Sequence, residues 1–523
     1  MPVLRNLFAV GRAFTADRRG NIAFIYALAL VPLIIASGAA IDYGRGVFVR
    51  ATLTRALDAA GLAVGSSGTL NQSDSVIKAQ AFFNANYRLD PSFGTPSAVA
   101  VAQSGQDFTL TSNVPMPTVL LHFAGIDTMP VSTSVVVTRN SMNIEVALAL
   151  DITGSMASGT RLADLKTAAK DLIDLVVQDT QSPTYSKVAL IPYSMAVNAG
   201  SYAAAVRGAI VPGKTITGAT RTNPVVITAP GHGFANGDTI YLTSVAGMNS
   251  LNNKAFTVTN KTTDTFALYG VNGTAYSSYT GGGTAWCTTP GCQYYNFTSA
   301  ASTTNTFAVS TCVTERSADT FNDNPPSTTA LGRNYPSAAT NPCLAATFVP
   351  LSTDKTTLKS LVDGYVATGS TAGHIGIGWA WYMLSPNFGT LWPATAQPGA
   401  YTSTTLLKFA VIMTDGAFNT PYCNGVIAQD ATTGSDDPKY HNSCNAPGGS
   451  SIAQAKLLCA AMKAKGIIIY TVGFDVGSDA TAIDVLTRCA SDAAHAYFPA
   501  TGSDLKDAFH DIAQQITNLR VKS

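Results

Sequence analysis

Between Gly20 and Ile41 the chain carries no charged side chain, and the stretch from Ile22 to Ile41 (IAFIYALALVPLIIASGAAI) is apolar almost throughout. Wound as a helix at about 1.5 Å per residue, such a run covers the ~30 Å hydrocarbon core of a bilayer. The expected element is one membrane-spanning helix over residues 21–42. Arg5, Arg12, Arg18 and Arg19 precede it, with Asp17 the only acid there. The positive-inside rule therefore puts the basic segment 1–20 in the cytoplasm and everything past Asp42 outside. Pro32 falls in mid-span, where lipid-embedded helices tolerate a kink. A cleaved signal peptide is the competing expectation, since Ala36-Ser37-Gly38-Ala39 offers small residues at suitable spacing. Against it, the apolar run exceeds the usual h-region of about 7–15 residues.

The rest of the chain is poor in charge. Lys plus Arg number 32 and Asp plus Glu 31, a net +1, which gives no electrostatic footprint for nucleic acid. Charged residues make up 12% of the chain, about half the usual ~25%. Thr, Ser, Asn and Gly take their place, so disorder through excess charge is excluded. At 523 residues and roughly 150 per domain, about three or four units are expected.

All eight cysteines (Cys287, Cys292, Cys312, Cys343, Cys423, Cys444, Cys459 and Cys489) lie beyond the apolar run. An even count outside the cytosol favours disulfides. Nearest neighbours pair Cys423 with Cys444 and Cys459 with Cys489, and the remaining pairing stays open. Zinc is the alternative, but no pair has C-x-x-C spacing and no histidine sits at ligand spacing beside them.

Residues 43–140 read as a small α+β unit. Val47, Leu53, Leu57 and Leu62 mark one helix, Asp74 to Asn86 a second, and alternating segments from Ala98, Phe108 and Val131 mark strands. From residue 141 the pattern changes. Ile144–Leu150, Lys187–Ser194, Lys408–Thr414 and Gly466–Phe474 are near-continuous apolar runs, typical of strands buried on both faces. Helices fall between and after them: an amphipathic one carrying Leu162, Leu165, Ala169, Leu172, Ile173 and Val176, one from Ile452 to Lys465, and one from Asp504 to Leu519 with Thr501 and Asp504 as a capping box. The fold class is α/β, an open, mostly parallel sheet flanked by helices. It is expected in two parts, 141–215 and 286–523, around an inserted all-β module at 216–285 with no helical period. Residues 286–350, rich in Asn, Pro, Thr and Cys, read as disulfide-pinned loops.

The candidate chemistry sits at the ends of the buried strands. DITGSM follows the first, and alternate residues of a tight loop can aim the Asp151 carboxylate and the Thr153 and Ser155 hydroxyls at one point. That is a hard-oxygen set suited to Mg²⁺ or Mn²⁺. Thr371, in a Gly-rich loop before a helix, and Asp415, in VIMTDG at another strand end, extend it. Ligands of open α/β sheets bind beyond the carboxyl ends of the strands.

Those three pieces resemble the metal-ion-dependent adhesion site of von Willebrand factor A domains. The resemblance implies that Ser155, Thr153 and Thr371 coordinate a divalent cation directly or through water, with Asp151 and Asp415 holding it through the inner or second shell; Mg²⁺ is the expected ion, with Mn²⁺ or Ca²⁺ as alternatives. RRGNIAFIYALALVPLIIASGAAIDYGR, VLLHFAGIDTMPVSTS, GWAWYMLSP and CASDAAHAYFPATGSDLKDAFHDIAQQI resemble TadG-like Tad/Flp pilus assembly proteins with a C-terminal von Willebrand factor A domain. Ile25 stands where pilin-like members carry Glu, five residues past Gly20, so a permanent anchor is expected in place of processing. The likeness implies an inner-membrane, single-pass envelope protein, not an enzyme, whose partners are envelope or pilus assembly proteins that complete the metal site with an acidic side chain. A structural envelope component whose domain acts without metal is the alternative. The β-module is similar to small modules of phage tail proteins and to the first catalytic-cysteine half-domain of ubiquitin-activating enzymes.

Gly208–Thr215 (GAIVPGKT) matches the P-loop pattern, but that motif needs a strand before it and a helix after it to cradle phosphates. YAAAVR precedes and ITGATRTNPVV follows, so no nucleotide is expected. No G-x-S-x-G elbow and no H-E-x-x-H occurs. His374 reads as a loop-surface residue, His232 as a turn residue, and Trp379 and Trp381 as core.

Overall fold

The computed structural model describes residues 21–522 apart from 66–71, 105–106, 139, 183, 317–320 and 433. The predicted basic segment 1–20 lies outside the described residues. The chain divides into two compact units, residues 1–141 with 521–523, and residues 142–520.

In the first unit a single helix, α1 (Asn21–Gly65), carries the apolar run and continues without a break. Its second half is amphipathic: Val49, Leu53, Ala56, Leu57, Ala60 and Val64 are buried, spaced by three and four and their sums. The predicted stripe is thereby corrected, because Val47 and Leu62 face outward. Helix α2 (Gln72–Asn86) packs on this stripe through Ala79 and Phe83. Strands β1 (Ala100–Ser104), β2 (Asp107–Pro117) and β3 (Thr128–Thr138) form an antiparallel meander. In β2 the period of two is unbroken: Phe108, Leu110, Ser112, Val114 and Met116 are buried and their neighbours face out. Val521 and Lys522 pair antiparallel with Ser141 and Asn140.

The second unit opens with β4 (Asn143–Asp151), α3 (Arg161–Val176) and β5 (Ser186–Tyr193). An insert follows, of strands β6 (Lys214–Thr215), β7 (Gly218–Ala219), β8 (Val226–Thr228), β9 (Thr239–Thr243), β10 (Lys254–Thr259), β11 (Thr265–Leu268) and β12 (Thr284–Cys287). They hydrogen-bond in the order β6-β12-β9-β10-β11-β8-β7 and enclose their own core of Val225, Ile227, Ile240, Leu242, Val258, Phe266 and Leu268. The chain returns through β13 (Val349–Ser352), α4 (Gly373–Leu384), β14 (Leu406–Thr414), α5 (Ser451–Ala464), β15 (Ile468–Gly473), α6 (Ala480–Cys489), β16 (Ala496–Tyr497) and α7 (Gly502–Arg520).

The main sheet runs β13-β5-β4-β14-β15-β16. Only β13 is antiparallel to its neighbour; the other pairs are parallel. Strands β4 and β14 are paired on both edges, which is why their sequences are apolar nearly throughout. One exception is a buried cross-strand pair, Glu145 on β4 directly opposite Lys408 on β14. Helix α7 packs on α3, and α4 lies against β4, β5 and α5. The Thr501–Asp504 capping box forms: Asp504 N–H donates to the Thr501 hydroxyl at 3.2 Å and Thr501 N–H to the Asp504 carboxylate at 3.1 Å.

Four disulfides join Cys287–Cys292, Cys312–Cys343, Cys423–Cys444 and Cys459–Cys489. His374 is not on a loop surface. It lies buried in the first turn of α4, its Nε2 3.6 Å from the Glu315 carboxylate. His232 is also buried, stacked on Phe234, with its Nδ1 accepting the Phe234 N–H. Trp379 and Trp381 are core residues. GAIVPGKT follows a short helix (Ala203–Arg207) and ends in β6, the reverse of the order a phosphate cradle requires.

Candidate metal centre

From β4 the chain crosses to β5 on one side and returns to β14 on the other, so the direction of winding reverses between β4 and β14. Helix–strand connections diverge at such a point and leave a crevice beyond the carboxyl ends of the two strands. Asp151 is the last residue of β4, and Asp415 follows β14 directly.

The loop after β4 folds back on its own carboxylate. Thr153 N–H donates to Asp151 Oδ1 at 2.8 Å, a local turn that Asp readily makes. The other carboxylate oxygen, Oδ2, accepts from the Thr414 hydroxyl at 2.7 Å and lies 3.4 Å from Tyr193 Oη, whose proton goes to Met413 O at 2.8 Å. Ser155 Oγ donates to Asp415 Oδ1 at 2.6 Å and lies 2.9 Å from Thr153 Oγ1. Because the Ser155 proton is committed to a carboxylate, Thr153 donates to Ser155, which leaves both lone pairs of Thr153 Oγ1 and one of Ser155 Oγ for a cation. Asp151, Thr153, Ser155 and Asp415 are thus linked; Asp151, Thr153 and Asp415 are buried and Ser155 is exposed.

Thr371 arrives through the backbone. Gly369, at φ 74°, presents its carbonyl to Gly154 N–H at 2.8 Å, and Thr368 N–H donates to Ile152 O at 2.9 Å. Thr371 N–H donates to Asn419 Oδ1 at 3.0 Å. The loop is therefore laced to the first one, while no hydrogen bond joins the Thr371 hydroxyl to the other four residues.

Two groups absent from the sequence reading complete the arrangement. Arg161, first residue of α3, donates to Asp415 Oδ2 at 3.0 Å and to Asp475 Oδ2 at 2.6 Å. Asp475 lies just past β15, at φ 51°. The rule that picked Asp151 and Asp415, an acid just past a buried strand, picks Asp475 as well; Arg161 carries no comparable signal.

Burial, together with the nearby Asp415 charge, pushes the Asp151 carboxyl up to about 7. Burial also raises Asp415, against the lowering effects of Ser155 and Arg161. Two carboxylates that strain against each other in a desolvated crevice, with hydroxyls aligned between them, form a donor set that fits a hard divalent cation. Among the described residues no cluster of three or more His, Cys, Asp or Glu side chains gathers for a metal, at this crevice or elsewhere. A site here would lean on hydroxyl oxygens.

Residues 20–67 match the family described as putative Flp pilus-assembly TadE/G-like. Residues 222–288, the inserted module, match the ubiquitin-activating enzyme E1 FCCH domain. No curated protein matches the chain. Among solved structures, the pilus adhesin SpaC from Lactobacillus rhamnosus GG is 12% identical over 80% of this chain, at a TM-score of 0.31. This chain spans 34% of SpaC's length. The vWF domain of the type V pili tip protein Mfa5 from Porphyromonas gingivalis is 12% identical over 73% of this chain and 97% of its own, at 0.33. The adhesive tip pilin GBS104 from Group B Streptococcus agalactiae is 12% identical over 72% of this chain and 100% of its own, at 0.32. At TM-scores this low none of them establishes a shared fold.

Proposed function

We propose that this chain is a membrane-anchored envelope protein of a Tad/Flp-type pilus assembly system, whose larger unit is a von Willebrand factor A domain that binds protein partners through a metal-ion-dependent adhesion site. The observation that carries the reading is the linked set of Asp151, Thr153, Ser155 and Asp415 at the reversal point of the sheet. The match of residues 20–67 to a pilus-assembly family supports the setting. In this reading α1 anchors the chain in the inner membrane with residues 43–523 outside.

A divalent cation at this site supplies a Lewis-acidic point that accepts one oxygen from a partner's acidic side chain. Asp151 and Asp415 would supply the charge that holds it, and the Thr153 and Ser155 hydroxyls neutral oxygens that leave a coordination position for a further ligand. Thr371, whose loop is tied by its backbone to the loop after β4, is the remaining proposed ligand. The bonds from the Thr414 hydroxyl and Thr153 N–H fix the Asp151 carboxylate. Calorimetry on the full chain in detergent tests the proposal: Mg²⁺, Mn²⁺ or Ca²⁺ binds to the parent, and Asp151→Ala abolishes binding. Absence of binding to the parent, or equal binding by the variant, overturns it.

One observation favours a second reading, a structural domain that works without metal. Arg161 already bridges Asp415 and Asp475, so a guanidinium does part of a cation's work. Under the metal reading Arg161→Ala frees Asp415 and tightens metal binding; under the second it only weakens the fold.

A further inference from the structure

We propose that the turn at residues 119–126 is a second membrane contact, a wedge of apolar side chains that enters the lipid interface beside the end of the α1 span. The inference rests on the anchor reading of α1. It concerns a different segment, one that takes no part in the proposed metal site.

Three observations place the turn. A methyl group at Gly38 would lie 2.5 Å from Leu120 Cβ, so helix and turn touch at backbone distance. Gly38 sits within the last helical turn of the apolar run that ends at Ile41. Immediately beyond, the buried Asp42 carboxylate takes the N–H groups of Val119, Leu120 and Leu121, each at 2.9 Å. The first charge after the span is spent on fixing this turn. Arg45, which reaches Asp42 at 3.3 Å and Pro117 O at 3.2 Å, adds a second tie. The turn is closed on itself by the Thr118 hydroxyl, which donates to Ile126 O, and by Thr118 N–H to Asp127 O at 3.1 Å.

Held there, the turn directs apolar side chains away from the protein. Val119 is 53% exposed, Phe123 81% and Ile126 47%. Tyr43, 69% exposed on α1, stands one residue past Asp42, and tyrosine is enriched at this depth of a bilayer. His122 within the turn and Asp127 at its end pair with each other, Nδ1 to Oδ1 at 2.5 Å. A rigid turn with outward Phe, Val and Ile, fastened at the height where a spanning helix leaves hydrocarbon, faces the lipid interface by continuity with the span. Apolar side chains there are removed from water in the same way as those of interfacial segments.

The test uses the full chain reconstituted in vesicles of phosphatidylethanolamine and phosphatidylglycerol. Every described cysteine is disulfide-bonded, so introduced cysteines take a nitroxide selectively. Leu30→Cys reports the span, Phe123→Cys and Ile126→Cys the turn. Ser104→Cys reports the far end of β2, since Ser104 pairs with Asp107 and 11 residues at about 3.4 Å each separate that end from the turn by roughly 35 Å. The readout is the ratio of collision with oxygen to collision with a water-soluble nickel chelate. Ratios several-fold above that of Ser104 at Leu30, Phe123 and Ile126 are expected. A ratio at Phe123 and Ile126 equal to that of Ser104, with Leu30 in lipid, overturns the wedge and leaves the anchor standing. Water-like ratios at all four sites overturn the anchor, and the wedge with it. Spin–spin broadening at Phe123 that fades on dilution with lipid assigns the turn to a second copy of the chain and also overturns the wedge. Phe123 and Ile126 are exposed, so none of the labels disturbs the core.

Discussion

Ser155 is the residue on which the candidate site turns, because its single proton ties Asp415 to the loop after β4. Ser155→Ala leaves Asp415 Oδ1 without that donor in a buried position, and costs about 1–3 kcal/mol of stability. It also removes an oxygen from the proposed cation's set, so under that proposal Mn²⁺ affinity should fall about tenfold or more, as losses of ligating or supporting groups do; calorimetry with urea unfolding reads both effects. A different balance governs Glu145 and Lys408. Glu145 accepts from Lys408 Nζ, from Tyr185 Oη at 3.0 Å and from Gly399 N–H at 2.8 Å, and Lys408 also donates to Leu384 O at 2.8 Å. Breaking a buried pair from one side leaves an uncompensated charge, so Lys408→Ala is expected to cost about 3–5 kcal/mol in a urea titration. The double replacement Glu145→Leu with Lys408→Met should recover most of that loss. A double variant as unstable as the single one would show that the backbone bonds to Glu145, not its charge, sustain the strand pair.

Helices α5 and α6 are joined by the buried Cys459–Cys489 bond, which closes a 30-residue separation. In the chain-entropy account such a loop contributes about 3–4 kcal/mol by restricting the unfolded chain. The paired change Cys459→Ala and Cys489→Ala should lower unfolding free energy by roughly that amount, with the parallel sheet intact by circular dichroism. Both cysteines sit on elements visible in the sequence, and that is where the sequence is most legible. Runs such as Ile144–Leu150 and Lys408–Thr414 can be read because strands paired on both edges and covered on both faces have no polar positions to spare. Edge strands give less away: β13 and β16 are short and half-buried, and nothing in their composition separates them from loop. The amphipathic half of α1 is legible as a helix but not in phase, because Val47 and Leu62 are as apolar as the Val49 and Val64 that are buried. At the site, the carboxylates and hydroxyls follow from strand ends, whereas Arg161 reaches Asp415 across 254 residues of sequence, a tertiary contact that no local pattern encodes. His374 looked like a surface loop residue because the glycines around it hid a helix whose every residue is buried.

Across the whole larger unit, the inserted module is attached at one pair of neighbouring strands. Its entrance β6 and exit β12 are hydrogen-bonded to each other, Thr215 opposite Thr284 and Lys214 opposite Ala285. The module has its own apolar core, and the main sheet is complete without it. Contacts between its strands and the segment after β12 include the rings of Tyr241 and Tyr294, tilted with centroids 4.2 Å apart, and the Thr288 hydroxyl donating to Thr239 O at 2.7 Å. Replacing residues 216–283 with Asn-Gly should therefore convert β6 and β12 into a plain hairpin, since a two-residue turn of that type joins antiparallel strands without splaying them. The lost contacts cost about 1–2 kcal/mol, partly offset by the lower closure entropy of a short loop. The excised chain should keep its four-disulfide pattern, unfold in one transition close to the parent's, and bind Mn²⁺ with unchanged affinity if the site of Asp151 and Asp415 is built as proposed. Failure to fold, or a loss of Mn²⁺ binding with the fold retained, would show instead that the module sustains the site from a distance, and that the two ends of β6 and β12 are not a neutral point of attachment.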